Sequence, residues 1–167
     1  MLEKWLEDAE LPRGWFDSAV AATSMHWVDL ATALPQLHSA LRPSGWLAVW
    51  RHRFGHADFD TPFRRQVEHI VRARMRRRGA TAPRTDDRPT MDELTAGGWF
   101  EPVRSQTWHW SITMDADQLR DLFQTFSDWD DTEVAAAVHA VDDLGGLVTE
   151  HYQTVLHLLC SAAAPTP

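Results

Sequence analysis

The sequence predicts an α/β fold with a largely parallel sheet, and three observations support this prediction. An apolar segment at 16–24, a helical pattern at 30–41 and a second apolar segment at 46–54 follow one another directly. Together they span about forty residues, which is typical of a strand–helix–strand unit with parallel strands. Two later segments, 103–114 and 152–162, also have strand character, with helical patterns between them. Apolar residues make up 44% of the chain, enough to form a buried core.

The first unit is defined by its residue types and by the signals at its boundaries. Segment 16–24 consists mostly of small and apolar residues, which indicates a strand buried on both faces. Asp29 is placed to cap the helix at 30–41, whose leucines follow helical spacing. Pro43 cannot continue that helix, and Gly45 supplies the turn into the second strand.

A second helix is predicted at 60–78, with a stripe of apolar residues that includes Phe63 and Val67. Its other face carries seven arginines: Arg64, Arg65, Arg72, Arg74, Arg76, Arg77 and Arg78. Such a run has two interpretations. It is either a solvated helix face or a surface for an anionic substrate or partner.

The remaining segments alternate between loops, helices and strands. Residues 79–89 are rich in Pro, Asp and Thr, which predicts a mobile loop. In the strand at 103–114, alternation places Trp108, Trp110 and Ile112 on one buried face. Asp115 and Gln118 have the spacing of a capping box, which predicts that a helix starts there.

Bulk properties exclude several classes of protein. A length of 167 residues suits one domain. The net charge of −8 argues against a nucleic-acid binder or an anionic-membrane binder, because both need a cationic surface. The single cysteine, Cys160, excludes an internal disulfide framework, and no segment resembles a signal peptide or a membrane span. These properties predict a cytoplasmic protein.

Five short motifs resemble those of one enzyme family. Phe16-Asp17 begins an apolar run that ends in His26-Trp27-Val28-Asp29, and Leu41-Arg42-Pro43-Ser44-Gly45 then leads to Trp50. The segments AGGWFEPV, TWHWSITMDADQLRDLFQTFS and YQTVLHLL follow. In this order and spacing, the motifs resemble the second half of a class I S-adenosylmethionine-dependent methyltransferase, in particular the type-11-like enzymes that act on small molecules. The resemblance implies a domain portion at 1–161 and a frayed tail at 162–167.

The resemblance also implies a topology. The strands would be numbers four to seven of a Rossmann-like sheet, in the spatial order 4-5-7-6, with the last strand antiparallel. The family's first three strands, its glycine-rich turn and its ribose-binding acid have no counterpart, and no G-x-G pattern occurs in the sequence. We therefore expect the C-terminal piece of an enzyme, which binds S-adenosylmethionine weakly or not at all by itself.

Ligands in open α/β sheets bind beyond the carboxyl ends of the strands, which places the candidate site residues here at two strand ends. His26 is the candidate base, because an imidazole titrates near neutrality. The alternatives are a structural role for His26 and a packing role for Trp27. The resemblance implies cofactor-binding roles for Glu3, Ser24, Met25 and Trp27. The position of Arg51 and His52 at the second strand end predicts substrate-binding roles for them.

Other candidate chemistry has little support. His52 and His56 lie four residues apart in a loop without a third ligand, so no metal site is predicted. Cys160 lies in an apolar strand, which is typical of an inert core thiol.

Three hypotheses of function remain: a methyltransferase portion acting on a small molecule, a non-catalytic binding module, and an inactive truncated product. The edge of strand 16–24 is expected to pair with a second copy of the chain or with an N-terminal half-protein.

Overall fold

The structure is a computed structural model, and it describes residues 6–54, 59–78, 88–126 and 128–163. These residues form four strands and five helices, in this chain order: β1 (Phe16–Ala22), α1 (Leu30–Ala40), β2 (Leu41–Phe54), α2 (Pro62–Arg78), α3 (Met91–Thr95), β3 (Phe100–Asp115), α4 (Ala116–Gln124), α5 (Asp131–Asp143) and β4 (Leu147–Ser161). Short 3-10 helices lie at Leu6–Asp8 and Met25–Trp27. The α/β prediction is confirmed.

The strands form one mixed sheet in the order β1-β2-β4-β3, as predicted. β1 and β2 are parallel, with Val20 opposite Ala48. Side-chain hydrogen bonds show that β4 is antiparallel to β3, because Ser105 bonds to His157 and Thr113 to Thr149. As residue numbers rise along β3, those of the partners in β4 fall. His52 and Arg53 of β2 bond to Thr154 and Gln153 of β4 in the same falling order, so the last strand runs against the others, with β2 on one side of it and β3 on the other.

Some predicted boundaries were wrong. β1 ends at Ala22 rather than at 24, because Thr23 turns the backbone into the left-handed region with a φ of 50°. β2 begins at Leu41 rather than at 46, and its pairing with β1 shifts register between Phe16 and Ser18. Gly45 is required at this irregular start, since an added Cβ would lie 2.9 Å from the carbonyl oxygen of Arg42.

The chain folds into two compact units. The first contains β1, α1, β2 as far as His52, α3, β3 as far as Trp108, and β4 from Thr154. Its core joins one face of the sheet to α1 and α3 through eight buried residues: Met25, Leu34, Leu41, Leu47, Val49, Leu94, Phe100 and Leu159.

The second unit contains α2, α4, α5 and the remaining parts of the strands. Its core is centred on Phe123, whose ring lies 4.4 Å from that of Trp129 and 6.5 Å from that of Phe63. Capping boxes at Asp115–Gln118 and Asp130–Glu133 begin α4 and α5. The predicted capping box at Asp115 is confirmed.

Two predictions of burial were wrong. β1 was expected to be buried on both faces, but only Ala19 and Ala21 are half-buried, and Val20 is 61% exposed. The face of β3 that carries Trp108, Trp110 and Ile112 was expected to be buried, but all three side chains are exposed. Both strands lie at edges of the sheet, so each has a neighbouring strand on one side.

The arginine face of α2 is largely engaged in ion pairs within the second unit. Arg65 pairs with Asp60 and Arg72 with Glu68, both at the surface. Arg74 and Arg77 both pair with the buried Glu133. These pairs favour the interpretation of the arginine face as structural and solvated. They argue against its interpretation as an anion-binding surface.

Candidate functional site

The candidate site begins where the chain leaves β1 in the first unit. The amide of Thr23 donates to the carbonyl of Trp50 at 2.8 Å, which extends the β1–β2 pairing by one residue. Thr23 itself has a φ of 50°, a conformation that is strained for a β-branched residue. Strained backbone of this kind clusters at functional sites, where the surrounding structure maintains it. The turn that follows is therefore a candidate for a functional role.

The residues after Thr23 form a short turn that is fixed at both ends. Met25 is buried in the core of the first unit, and the amide of Trp27 donates to the carbonyl of Ser24 at 3.0 Å. Asp29 then caps α1 by accepting hydrogen bonds from the amide of Ala31 and from another side chain of the first turn. Trp27 is 68% exposed, so its indole faces solvent from a fixed backbone.

His26 lies at the tip of this turn, with its ring 4.8 Å from the ring of Trp27. Partial burial lowers the pKa of His26 below its usual value of 6.5, and the positive charge of Arg51 lowers it further. The imidazole is therefore neutral at physiological pH and has a nitrogen that can accept a proton. The role of base stays a prediction for His26.

Arg51 and His52 lie at the end of β2, where successive side chains point to opposite faces of the sheet. A terminal nitrogen of Arg51 donates to the carbonyl oxygen of Arg88 at 3.2 Å. Nδ1 of His52 lies 2.8 Å from Oγ1 of Thr154 on β4. The charge of Arg51 thus acts on His26, whereas His52 lies against β4.

The other predicted site residues differ in what they offer a ligand. Ser24 is exposed, and its side chain makes no capping hydrogen bond to the turn. The side chain of Met25 is 4% exposed, so a ligand could contact Met25 only through its backbone. Glu3 and His56 lie outside the described residues.

Cys160 is half-buried in β4. In the part of the chain that the structure describes, no three His, Cys, Asp or Glu side chains could hold a metal ion together. No helix in that part is long and apolar enough to cross a membrane.

The contact of Arg88 with the site and the backbone conformation of Thr23 were not found by sequence reasoning. Arg88 contacts Arg51 across a large sequence separation, and it falls in the segment predicted to be a loop. Arg88 also pairs through its own guanidinium with Glu93 at 3.0 Å. Thr23 was expected at the carboxyl end of the strand at 16–24, but no residue type around it signals a left-handed backbone. Neither the contact between Arg51 and Arg88 nor the left-handed backbone of Thr23 leaves a local signal in the sequence.

The second unit contains a buried carboxyl group that the predictions also missed. Glu150 is 1% exposed, and its Oε1 lies 3.5 Å from the hydroxyl of Thr61. Burial raises the pKa of Glu150 to about 6, although nearby Arg64 and the Thr61 hydroxyl act in the opposite direction. Burial, and after it the charge of Glu150, raises the pKa of Tyr152 to about 12. Because Glu150 is almost completely buried, we assign it to stability rather than to the site.

No protein-family model matches the sequence, and no curated protein matches it. Solved structures do match. The chain aligns over 96% of its length with a candidate type II methyltransferase from Anaeromyxobacter dehalogenans, at 17% identity and a TM-score of 0.53, and covers 70% of that chain. It aligns over 96% of its length with a candidate methyltransferase from Bacillus halodurans C-125, at 9% identity and a TM-score of 0.50, again covering 70%. The chain has a class I methyltransferase fold.

A third similar structure is that of a geranyl diphosphate C-methyltransferase from Streptomyces coelicolor A3(2), in complex with Mg²⁺, geranyl diphosphate and S-adenosyl-L-homocysteine. The chain aligns with it over 95% of its length at 15% identity and a TM-score of 0.41. It spans 50% of that enzyme's length, against 70% for the two proteins above. The first two comparisons establish the fold and leave the reaction to be argued from the site.

The strain at Thr23 leads to a first testable prediction. Replacing Thr23 with Asn is expected to raise the free energy of unfolding by about 1 kcal/mol, because Asn tolerates a positive φ far better than a β-branched residue. Urea denaturation measures this gain. The same replacement at Thr107, which lies in the extended strand β3, is the matched control and should bring no gain. A loss of stability in the Thr23 variant would show that the backbone there is not strained.

Proposed function

We propose that this chain acts in S-adenosylmethionine-dependent methyl transfer to a small molecule. The observation that carries the proposal is the methyltransferase fold, with the strained turn after β1 beside the end of β2. In open α/β sheets this edge is where ligands bind.

The residues at this edge suit one end of the cofactor. The exposed indole of Trp27 is a surface on which a sulfonium cation would be favourable, through the negative face of the ring. The backbone from Ser24 to Trp27 is held in one conformation by the anchors on both sides of it. These residues fit the methionine part of the cofactor. For the adenine, Glu3 is the candidate from family resemblance, and it lies outside the described residues.

The chemistry asked of the protein is modest. Bound S-adenosylmethionine supplies the methyl group on a positively charged sulfur, so the protein has mainly to align the acceptor and exclude water. Where the acceptor must lose a proton, His26 takes it, because its neutral imidazole is exposed at the tip of the turn. A rate of methyl transfer that does not change across the titration of His26 would make that residue structural.

A binding experiment tests the proposal. Calorimetric titration with S-adenosylhomocysteine is expected to show weak but saturable binding, weaker than the low micromolar range, because no glycine-rich turn is present in the sequence. Trp27→Ala should weaken this binding further. Trp46→Ala removes another exposed tryptophan of the first unit, away from the turn, and should leave the binding unchanged. Equal effects of the two replacements would contradict the assignment of Trp27.

A non-catalytic binding module is the second candidate, and one observation favours it. The sequence has no G-x-G pattern at all, whereas such a turn brings backbone amides close to the cofactor in Rossmann-like folds. In this case the chain would not bind S-adenosylhomocysteine even at about 1 mM, which corresponds to a binding free energy near −4 kcal/mol.

The edge of β1 leads to a prediction about partners. β1 lies at the end of the sheet, contains neither Lys nor Pro, and exposes Val20 to solvent. We expect this edge to pair with a second copy of the chain or with an N-terminal partner polypeptide, because unpaired strand edges attract strands. Val20→Lys should therefore shift the purified chain toward monomer in size-exclusion chromatography with light scattering. Val103→Lys places the same charge on the opposite edge strand and is the control; an equal shift there would contradict pairing through β1.

A further inference from the structure

The two faces of the sheet in the first unit differ in burial. One face packs on α1 and α3, and it carries the buried residues Leu47, Val49 and Leu159. Successive side chains of a strand alternate between the faces, so the residues next to these point the opposite way. On β1, β2 and β4 the opposite face, here called the outer face, consists of eight residues: Ser18, Val20, Ala22, Trp46, Ala48, Trp50, Leu156 and Leu158. None of the eight is buried, and Trp46 and Val20 are 43% and 61% exposed.

Ala48 lies at the centre of the outer face and forms a hollow in it. Along β2 it is flanked by Trp46 and Trp50, whose side chains point to the same face. Across the sheet, Val20 of β1 lies opposite Ala48. Hydrogen bonds between β2 and β4 set an antiparallel register that places Leu158 on its other side. The methyl group of Ala48 is therefore surrounded by four larger side chains.

The chemistry of the outer face restricts what can cover it. All of its residues except Ser18 are apolar, and none is charged. Contiguous apolar surface that is exposed often marks a site of protein association. A charged partner surface would lose water there without meeting an opposite charge, which is unfavourable. The partner surface is therefore apolar, with a projection that fits the hollow at Ala48.

We propose that the outer face packs against the outer face of a second copy of the chain. A two-fold axis between the copies, crossing β2 at Leu47, places Trp46 of each copy over Ala48 of the other. The order large, small, large along Trp46, Ala48 and Trp50 thus makes the face complementary to itself, as a two-fold interface requires. Alternating large and small residues let two packed layers interdigitate. This proposal does not depend on the proposed function.

The size of the outer face sets the expected strength of the dimer. Three strands about 4.8 Å apart, with rows of side chains about 6.7 Å apart, give the face an area of roughly 300 Å². A standard stable interface buries about 800 Å² per partner. Two acidic copies also repel each other, because the net charge of each is −8. We therefore expect a weak dimer, with a dissociation constant on the order of 100 μM.

Sedimentation velocity of the full chain, over about 5 to 500 μM, tests the proposal. The average mass should rise from that of one chain toward that of two as the concentration passes through about 100 μM, and it should fall again on dilution. A chain that stays monomeric throughout, or growth beyond two copies that dilution does not reverse, would overturn the proposal.

Two matched variants show whether the outer face is responsible. Trp46→Glu places a charge in the interface, where it loses water, and should weaken the dimer at least about tenfold. Trp15→Glu makes the same change at a tryptophan that precedes β1 and is 67% exposed, and should leave the dimer unchanged. Equal effects of the two variants would mean general charge repulsion and would contradict packing through the outer face.

An exchange of projection and hollow separates face packing from pairing through the edge of β1. Ala48→Trp fills the hollow and Trp46→Ala removes the projection, so each change alone should weaken the dimer. Made together, they reverse the pattern and should restore the dimer to within about threefold of the unmodified chain. Circular dichroism checks that each variant is folded.

Pairing through the edge of β1 gives a different result, because Ala48 lies on β2, which has a neighbouring strand on each side. A dimer of that kind should not respond to Ala48→Trp. Such a lack of response, or a double variant that dimerises no better than the single ones, would overturn the proposal.

Discussion

Replacing Glu133 with alanine is expected to lower the free energy of unfolding by about 3–5 kcal/mol. Glu133 is 2% exposed and bridges two arginines of α2, with Arg77 at 2.9 Å and Arg74 at 3.4 Å. Arg74 is itself buried, and its guanidinium lies 5.5 Å from the ring centre of Trp129. Without Glu133 the charge of Arg74 stays in a poorly solvated position, with the exposed Asp128 as its remaining carboxylate partner.

Chemical denaturation of the full chain measures this loss of stability, and two further variants serve as comparisons. Glu68→Ala removes an exposed carboxylate that pairs with Arg72 at 3.0 Å, and should cost less than about 1 kcal/mol. Glu133→Gln keeps the side-chain length and the capping acceptor for the amide of Asp130, so its cost should lie between the other two. If Glu133→Ala costs no more than Glu68→Ala, the buried network does not stabilise the second unit.

Replacing Glu150 with glutamine is expected to change how stability depends on pH. Burial raises the pKa of this carboxyl from 4.5 to about 6, so the folded chain retains a proton that the unfolded chain has lost. The contribution of Glu150 to the free energy of unfolding is therefore fully present below pH 4.5 and is lost as the pH rises through about 6. The shift corresponds to about 2 kcal/mol. As the pH rises from 4.5 to about 7.5, the free energy of unfolding of the glutamine variant should therefore increase by this amount relative to that of the natural chain.

Urea denaturation of both proteins at a series of pH values gives this difference, and the carboxyl ¹³C resonance of Glu150 gives the titration directly. The hydroxyl of Thr61 lowers the pKa of Glu150 by hydrogen bonding, so Thr61→Ala should move the midpoint further up. A midpoint near 4.5 in the unmodified chain, or a stability difference that is constant with pH, would show that Glu150 is solvated.

Much of the fold could be predicted from local sequence signals. The cap at Asp29, the capping box at Asp115 and the spacing of apolar residues each depend on neighbours within one helical turn. Burial was predicted less well, because it depends on which elements lie over a strand. The alternation at Trp108 and Trp110 indicated a strand correctly, but it could not show which face of β3 other elements cover.

The site was predictable in its location but not in its contacts. The rule for carboxyl ends of strands led to His26 and Arg51, and the structure places Arg51 where its charge acts on His26. The same rule grouped His52 with Arg51, although alternation along β2 sends His52 toward Thr154. The contact of Arg51 with Arg88 joins distant segments, and a single sequence holds no record of it.

The position of β4 between β2 and β3 sets the order in which the sheet can form during synthesis. In the described sheet, β3 has β4 as its only neighbour, although β3 leaves the ribosome first. β1 and β2 can pair early, whereas the sixteen residues of β3 cannot complete their pairing until the chain has been made through Ser161. Long-range pairing of this kind slows folding and leaves strand edges open to other chains in the meantime. Nascent chains stalled before β4 should therefore recruit chaperones more strongly than chains released after it.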